Sequence, residues 1–261
     1  MQKKKEIFLM IFLGIILLAL NYNFLDYKLE NFLSDSDASA TVERIIDGDT
    51  VVAGNETIRL LGINTPEKKE FYYGEAKEFL SEKILNKTII IKFGKDKKDR
   101  YGRTLAYIFL GPENVNLETV KNGFANYYFP SGKDKYYNSF KNAWSECIKD
   151  EINLCKKSED KCAECIELKS LDIAEQKIIL ENKCNFQCEL TNWEIKDEGR
   201  KKFVFPKFVL DSNAEVGIII GNKTDTSEEL FWKNEEYVWT RSGDTLFLRD
   251  KEGRLMLWEG Y

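Results

Sequence analysis

From Thr41 onward the chain is written in short apolar runs cut by turn residues, a rhythm that restricts it to a mainly β fold with a few helices. The first half holds TVERII, TVVA and TIRLLGI, joined by DGD and GN turns, then TIIIKF and TLAYIFL, separated by the charged loop GKDKKDRYGR. Between these, residues 75–85 (EAKEFLSEKIL) put Ala76, Phe79, Leu80 and Ile84 on one helical face. A helix is expected over Asn116–Asn122, ended by Gly123, and another over about Tyr136–Ile148. Five mostly antiparallel strands with interspersed helices fit a small closed barrel over residues 41–150. After a cysteine-rich connector at 151–162, seven more strand-like runs from IELKSL to RLMLWE predict a β-sandwich over 163–261.

The N-terminus reads MQKKKE followed by the apolar run Ile7–Leu20, extendable to Leu25. Three lysines ahead of an apolar stretch orient it with the N-terminus inside, so residues 1–25 are read as a single-pass membrane anchor and the rest as extracytoplasmic. A cleaved signal is the alternative, with Ala38-Ser39-Ala40 as a distant cleavage site; loss of residues 1–40 would give a secreted protein. Residues 26–40 form a polar linker. Six cysteines suit that compartment: Cys147, Cys155, Cys162, Cys165, Cys184 and Cys188 predict disulfides, with pairing open. A four-sulfur zinc site from Cys162-x2-Cys165 and Cys184-x3-Cys188 is the competing reading.

The chain has no histidine, which excludes Ser-His-Asp and Cys-His nucleophile systems and any histidine-held metal. Residues 41–150 carry 18 basic against 16 acidic side chains and residues 151–261 carry 17 against 23, so a polyanion would meet the first domain.

Four features of that domain are each unremarkable alone. Asp47-Gly48-Asp49-Thr50 suits a turn, Arg59 a snorkelling strand residue, Glu67 a solvated loop charge, and Asp99–Arg103 a polar hairpin tip. Together they are the parts that phosphodiester cleavage requires. Glu67 can take a proton from water, Arg59 and Arg103 are permanently charged forks for phosphate, and Asp49 is a hard oxygen ligand.

DGDT, IRLLGINTPE, DRYGR, LAYI and VNLETVKNGFA resemble, in order and spacing, the staphylococcal (thermonuclease) nuclease family from about Val42 to Trp144. The resemblance implies an OB-fold barrel and a Ca²⁺-dependent endonuclease acting on DNA and RNA with low sequence specificity. It implies Asp49 and the Thr65 carbonyl as Ca²⁺ ligands, Arg59 and Arg103 on the scissile phosphate, Glu67 as base, and Tyr101 packed beside the phosphate. Asn64 stands where that family's pattern has a second Ca²⁺-binding aspartate, so its amide oxygen is expected to bind Ca²⁺ more weakly.

LTNWEIKDEG, FVFPKFVL, GDTLFLRD and the terminal tyrosine resemble a lamin-tail domain, an immunoglobulin-like sandwich. Its role is expected to be accessory binding or tethering, its partner is unknown, and the whole is expected to be a monomer. A catalytically inactive binding module at the cell surface is the rival reading; such scaffolds lose the ligand, base or arginines, all present here.

Overall fold

The computed structural model describes residues 37–261. The anchor expected over 1–25 and most of the linker expected over 26–40 lie outside the described residues. Among those described, no helix is long and apolar enough to cross a membrane.

The first domain is built from β1 (Ala38–Asp47), β2 (Thr50–Ala53), β3 (Glu56–Leu60), β4 (Gly62–Asn64), α1 (Tyr73–Ile84), β5 (Thr88–Lys98), β6 (Thr104–Leu110), β7 (Glu113–Asn114), α2 (Val115–Lys121), β8 (Asn126–Tyr128) and α3 (Tyr137–Asp150). The sheet runs β3-β2-β1-β5-β6-β7, and a further β3–β6 pairing closes its first five strands into a barrel. Closure removes the two edges that an open sheet of this size would expose. Val42, Val51, Ile58, Leu60, Ile89 and Ile108 fill the interior. Ala76, Leu80 and Ile84 bury the inner face of α1, while Phe79 sits at its margin against Phe124, ring centroids 4.8 Å apart.

The run TIRLLGI is not one strand. It breaks after Leu60, and β4 leaves the barrel to pair with β8 through Gly62–Tyr128, Ile63–Tyr127 and Asn64–Asn126. Gly62 makes the departure feasible. Its φ is +75°, and a Cβ there would meet Tyr107, Phe129 and Phe140 at 3.1–3.2 Å.

The second domain contains β9 (Ile166–Asp172), β10 (Lys177–Asn182), β11 (Cys188–Glu189), β12 (Glu194–Lys196), β13 (Lys202–Val204), β14 (Val209–Leu210), β15 (Glu215–Ile220), β16 (Glu229–Trp232), β17 (Thr245–Arg249) and β18 (Leu255–Gly260). Two four-stranded sheets, β16-β15-β10-β9 and β13-β12-β17-β18, enclose a second apolar core that includes Leu180, Trp193, Ile195, Val216 and Leu248. All six cysteines are paired: Cys147–Cys155, Cys162–Cys188 and Cys165–Cys184. The four sulfurs of the competing zinc reading are thus bonded to one another in two disulfides.

The domains are joined by apolar packing and not only by the connector. Phe247, Leu255 and Trp258 of the second domain belong to the apolar cluster of the first. Trp144 of α3 meets Phe247 and Trp258 edge-on, at centroid distances of 5.5 and 6.3 Å. Tyr127 and Thr245 share a hydroxyl hydrogen bond of 3.2 Å across the same boundary.

Candidate active site

The β1–β2 turn carries Asp47, Gly48 and Asp49. A Cβ on Gly48 would lie 2.9 Å from Ala76 and from Thr65, so only glycine lets this turn pack between α1 and the β4 exit. The Leu60 N–H donates to the Asp49 carbonyl (2.8 Å), which fixes the turn against β3. Arg59 follows from the register: it pairs with Thr50 across β2–β3 and reaches Asp49.

The result is a buried polar cluster. Arg59 Nη2 lies 3.0 Å from Asp49 Oδ2, and the same oxygen accepts the Thr65 N–H at 3.2 Å. Thr50 Oγ1 donates to Asp49 Oδ1 (2.9 Å), and Arg59 Nη2 lies 3.5 Å from Asn64 Oδ1. Asp49, Arg59, Asn64 and Thr65 are each at most 7% exposed, so the charges are compensated by one another and not by water. The structure therefore brings together four of the residues singled out from sequence.

Asp47 sits beside this cluster, its Oδ1 accepting the Asp49 N–H at 3.3 Å. Burial, then the neighbouring Asp49 charge, pushes its carboxyl up to about 6. Asp47, Asp49 and the Asn64 amide supply hard oxygen donors, the type that suits a divalent cation such as Ca²⁺, and among the described residues no three acidic, cysteine or histidine side chains gather into a metal-holding group. The Asn64 oxygen faces Arg59, and its amide nitrogen donates to the Gly199 carbonyl.

Glu67 and Arg103 stand apart from the cluster. Glu67 is half-exposed and makes no hydrogen bond or ion pair to Asp49 or Arg59. Its backbone N–H donates to Glu70 Oε2 at 2.8 Å, which sets the loop beyond Pro66. Arg103 immediately precedes β6, and the parallel register Ile58–Thr104, Arg59–Leu105 sets it two positions along the β3–β6 pairing from Arg59. Its Nε donates to Asp99 Oδ2 (2.7 Å), leaving the two terminal nitrogens without acceptors among the described residues. Burial pushes the Asp99 carboxyl up, but hydrogen bonds from Arg103 and Tyr101 outweigh this and hold it low. Tyr101 is exposed, with the Arg100 and Arg103 guanidinium carbons 4.8 and 5.4 Å from its ring centroid.

Sequence reasoning missed the residues contributed by the second domain. The turn between β12 and β13, Asp197–Lys201, reaches the first domain at this site. Asn64 Nδ2 donates to the Gly199 carbonyl at 2.5 Å and approaches that of Glu198 at 3.4 Å. Arg200 Nε lies 2.9 Å from Glu67 Oε1. Lys196 and Lys202 pair with Glu70 at 2.8 and 3.3 Å. The signal was a basic stretch, KDEGRKK, inside an acidic domain, but nothing in its spacing says where it docks.

The staphylococcal nuclease homologue family profile matches residues 57–157. A thermonuclease of Staphylococcus intermedius is 34% identical over 126 residues, covering 44% of this chain and 75% of that protein. A thermonuclease of Staphylococcus hyicus is 30% identical over 138 residues, covering 49% of this chain and 82% of that protein. The Bacillus subtilis endonuclease YncB is 30% identical over 132 residues, covering 46% of this chain and 63% of its own length. Over the barrel, its helices and the cluster around Asp49 and Arg59, the chain belongs to the staphylococcal nuclease family.

Proposed function

We propose that the chain is a Ca²⁺-dependent endonuclease that hydrolyses phosphodiester bonds of DNA and RNA with low sequence specificity. The observation that carries this reading is the buried Asp49–Arg59–Asn64–Thr65 cluster, with Glu67 two residues beyond it on the same loop. Asp49, the Thr65 carbonyl and the Asn64 amide oxygen would hold the cation. When bound, it supplies positive charge for the extra negative charge of the transition state and polarises water.

Arg59 binds the scissile phosphate through its permanent charge and planar fork, exchanging for phosphate oxygens the contacts it makes here, Nη1 to the Leu60 carbonyl and Nη2 to Asp49. Arg103, held through Nε by Asp99, presents its terminal nitrogens to the same group. Glu67 accepts the proton of the attacking water. With its side chain 48% exposed, it is reached by solvent without opening the fold. Tyr101 flanks the phosphate site through its contacts with Arg103.

The protein acts outside the cytoplasm, anchored by residues 7–25 or released if residues 1–40 are removed; the three disulfides support an oxidising compartment. The second domain is an accessory module of lamin-tail type, and its two facing sheets support that reading. Cleavage of DNA and RNA is measured with Ca²⁺, with EDTA, and with Glu67→Gln. A loss of about 10²–10⁴-fold in the variant is expected for removal of a general base. Unchanged cleavage would remove Glu67 from that role, and no cleavage by the natural protein at any Ca²⁺ level would favour an inactive binding module.

A further inference from the structure

We propose that Arg200 of the second domain is a substrate-binding residue of the nuclease site, a third guanidinium that contacts a phosphate of the bound strand. This inference rests on the nuclease reading above. Of the four basic residues in the stretch Lys196–Lys202, three are engaged away from the proposed site residues: Lys196 and Lys202 on Glu70, and Lys201 on Glu235. Arg200 alone reaches a proposed catalytic group, through Nε at 2.9 Å from Glu67 Oε1.

The turn that presents Arg200 is fixed. The Lys196–Glu70 pair is largely buried, with side chains 12% and 19% exposed, and Glu70 in turn accepts the Glu67 backbone N–H. Burial pushes the Glu70 carboxyl up, and the two lysines outweigh it, so the pairing carboxylate stays charged. The Gly199 carbonyl is held by Asn64, and behind the turn Phe247 lies fully buried against Trp144. The turn continues from β12, which pairs with β17 through Lys196–Phe247, so it is anchored to the strand that carries this apolar boundary, which argues against a detachable cover.

The Arg200–Glu67 contact itself is weakly held. Its side chains are 55% and 48% exposed, where an ion pair is screened and worth little. A guanidinium in that setting exchanges its carboxylate for a phosphate oxygen at small cost, and the exchange frees Glu67 to take the proton of water. Asn64 fits the same picture. An aspartate has no donor for the Gly199 carbonyl, so the departure from the family pattern is matched by the contact that seats the turn.

The test uses the full chain. Binding of a short single-stranded DNA oligonucleotide is measured in EDTA over a range of salt, for the natural protein, Arg200→Ala and Arg200→Lys, beside KM and kcat with Ca²⁺. Arg200→Ala is expected to weaken binding about 10-fold and to lower the slope of log K against log salt by about 0.7, the value for one phosphate contact on a single strand. KM should rise correspondingly with kcat nearly unchanged, and Arg200→Lys should keep the salt slope. Unchanged affinity and slope in Arg200→Ala would overturn the proposal. So would a higher kcat/KM, which would make the contact an inhibitory cover. Failure of the natural protein to cleave would remove the nuclease reading, while the EDTA binding series would still judge Arg200.

Discussion

Changing Asn64 to aspartate sets two demands on one residue against each other. By resemblance to the family, Asn64→Asp restores a charged Ca²⁺ ligand and raises Ca²⁺ affinity. In the folded protein the same change removes the Nδ2 donor to the Gly199 carbonyl and sets a carboxylate against that carbonyl and the Glu198 carbonyl, at a position 2% exposed. A buried acceptor left without its donor costs about 1–3 kcal/mol. The buried charge adds to this, and Arg59 Nη2, 3.5 Å from Asn64 Oδ1, offsets part of it. A net loss of about 2–3 kcal/mol is expected in EDTA. At about 2–4 °C per kcal/mol for a chain of this size, thermal unfolding should shift down by roughly 4–12 °C. Saturating Ca²⁺ should recover much of the shift, because a ligand that binds the folded state stabilises it by RT ln(1 + [L]/Kd). Asn64→Ala, which loses the donor without gaining a charge, should be less destabilised in EDTA and recover less with Ca²⁺ than Asn64→Asp. If Asn64→Asp unfolds in EDTA within a degree of the natural protein, the role given to the Asn64–Gly199 contact is wrong.

Further tests address the domain boundary and its chemistry. Phe247→Ala empties a fully buried site against Trp144 and should cost about 3–5 kcal/mol in urea unfolding; a loss under about 1 kcal/mol would show that the two domains do not rely on this packing. Burial, then the charge of Asp244, pushes the Asp197 carboxyl up to about 7, and burial with Asp244 and Asp197 pushes Glu198 up to about 8. The folded state thus holds protons that the unfolded chain releases at about pH 4, so stability falls as pH rises from about 4 to about 8. Asp197→Asn should flatten that decline, and an equally steep decline in the variant would rule out Asp197 as a source. Replacing both Cys165 and Cys184 by serine opens the link closing the loop between them and should cost about 2–4 kcal/mol, read from the urea midpoint.

The barrel was largely legible in the chain because its strands alternate with turn residues and its helices keep an apolar face, both local patterns. The pairing of Asp49 with Arg59 was legible for the same reason, since side chains a few residues apart on paired strands are brought together by register; Glu67, on the loop beyond Pro66, lies outside that pairing. The breaking of TIRLLGI at Gly62 was half visible, since a glycine marks a departure without saying that β4 will pair with β8. Phe79 shows the limit of periodicity, which places a residue on a face but not at its centre.

Sequence by itself excluded histidine chemistry and set Asp49, Arg59 and Glu67 at fixed spacing. It also marked the cysteines as a stapling set without pairing them. Tertiary structure alone decided which sulfurs meet, that Phe247 completes the packing of Trp144, and that Gly199 and Arg200 stand against Asn64 and Glu67. The reason is physical. Local patterns report how a segment buries its own apolar face, whereas a contact spanning 135 positions in the chain, such as Asn64 with Gly199, depends on how two finished surfaces pack.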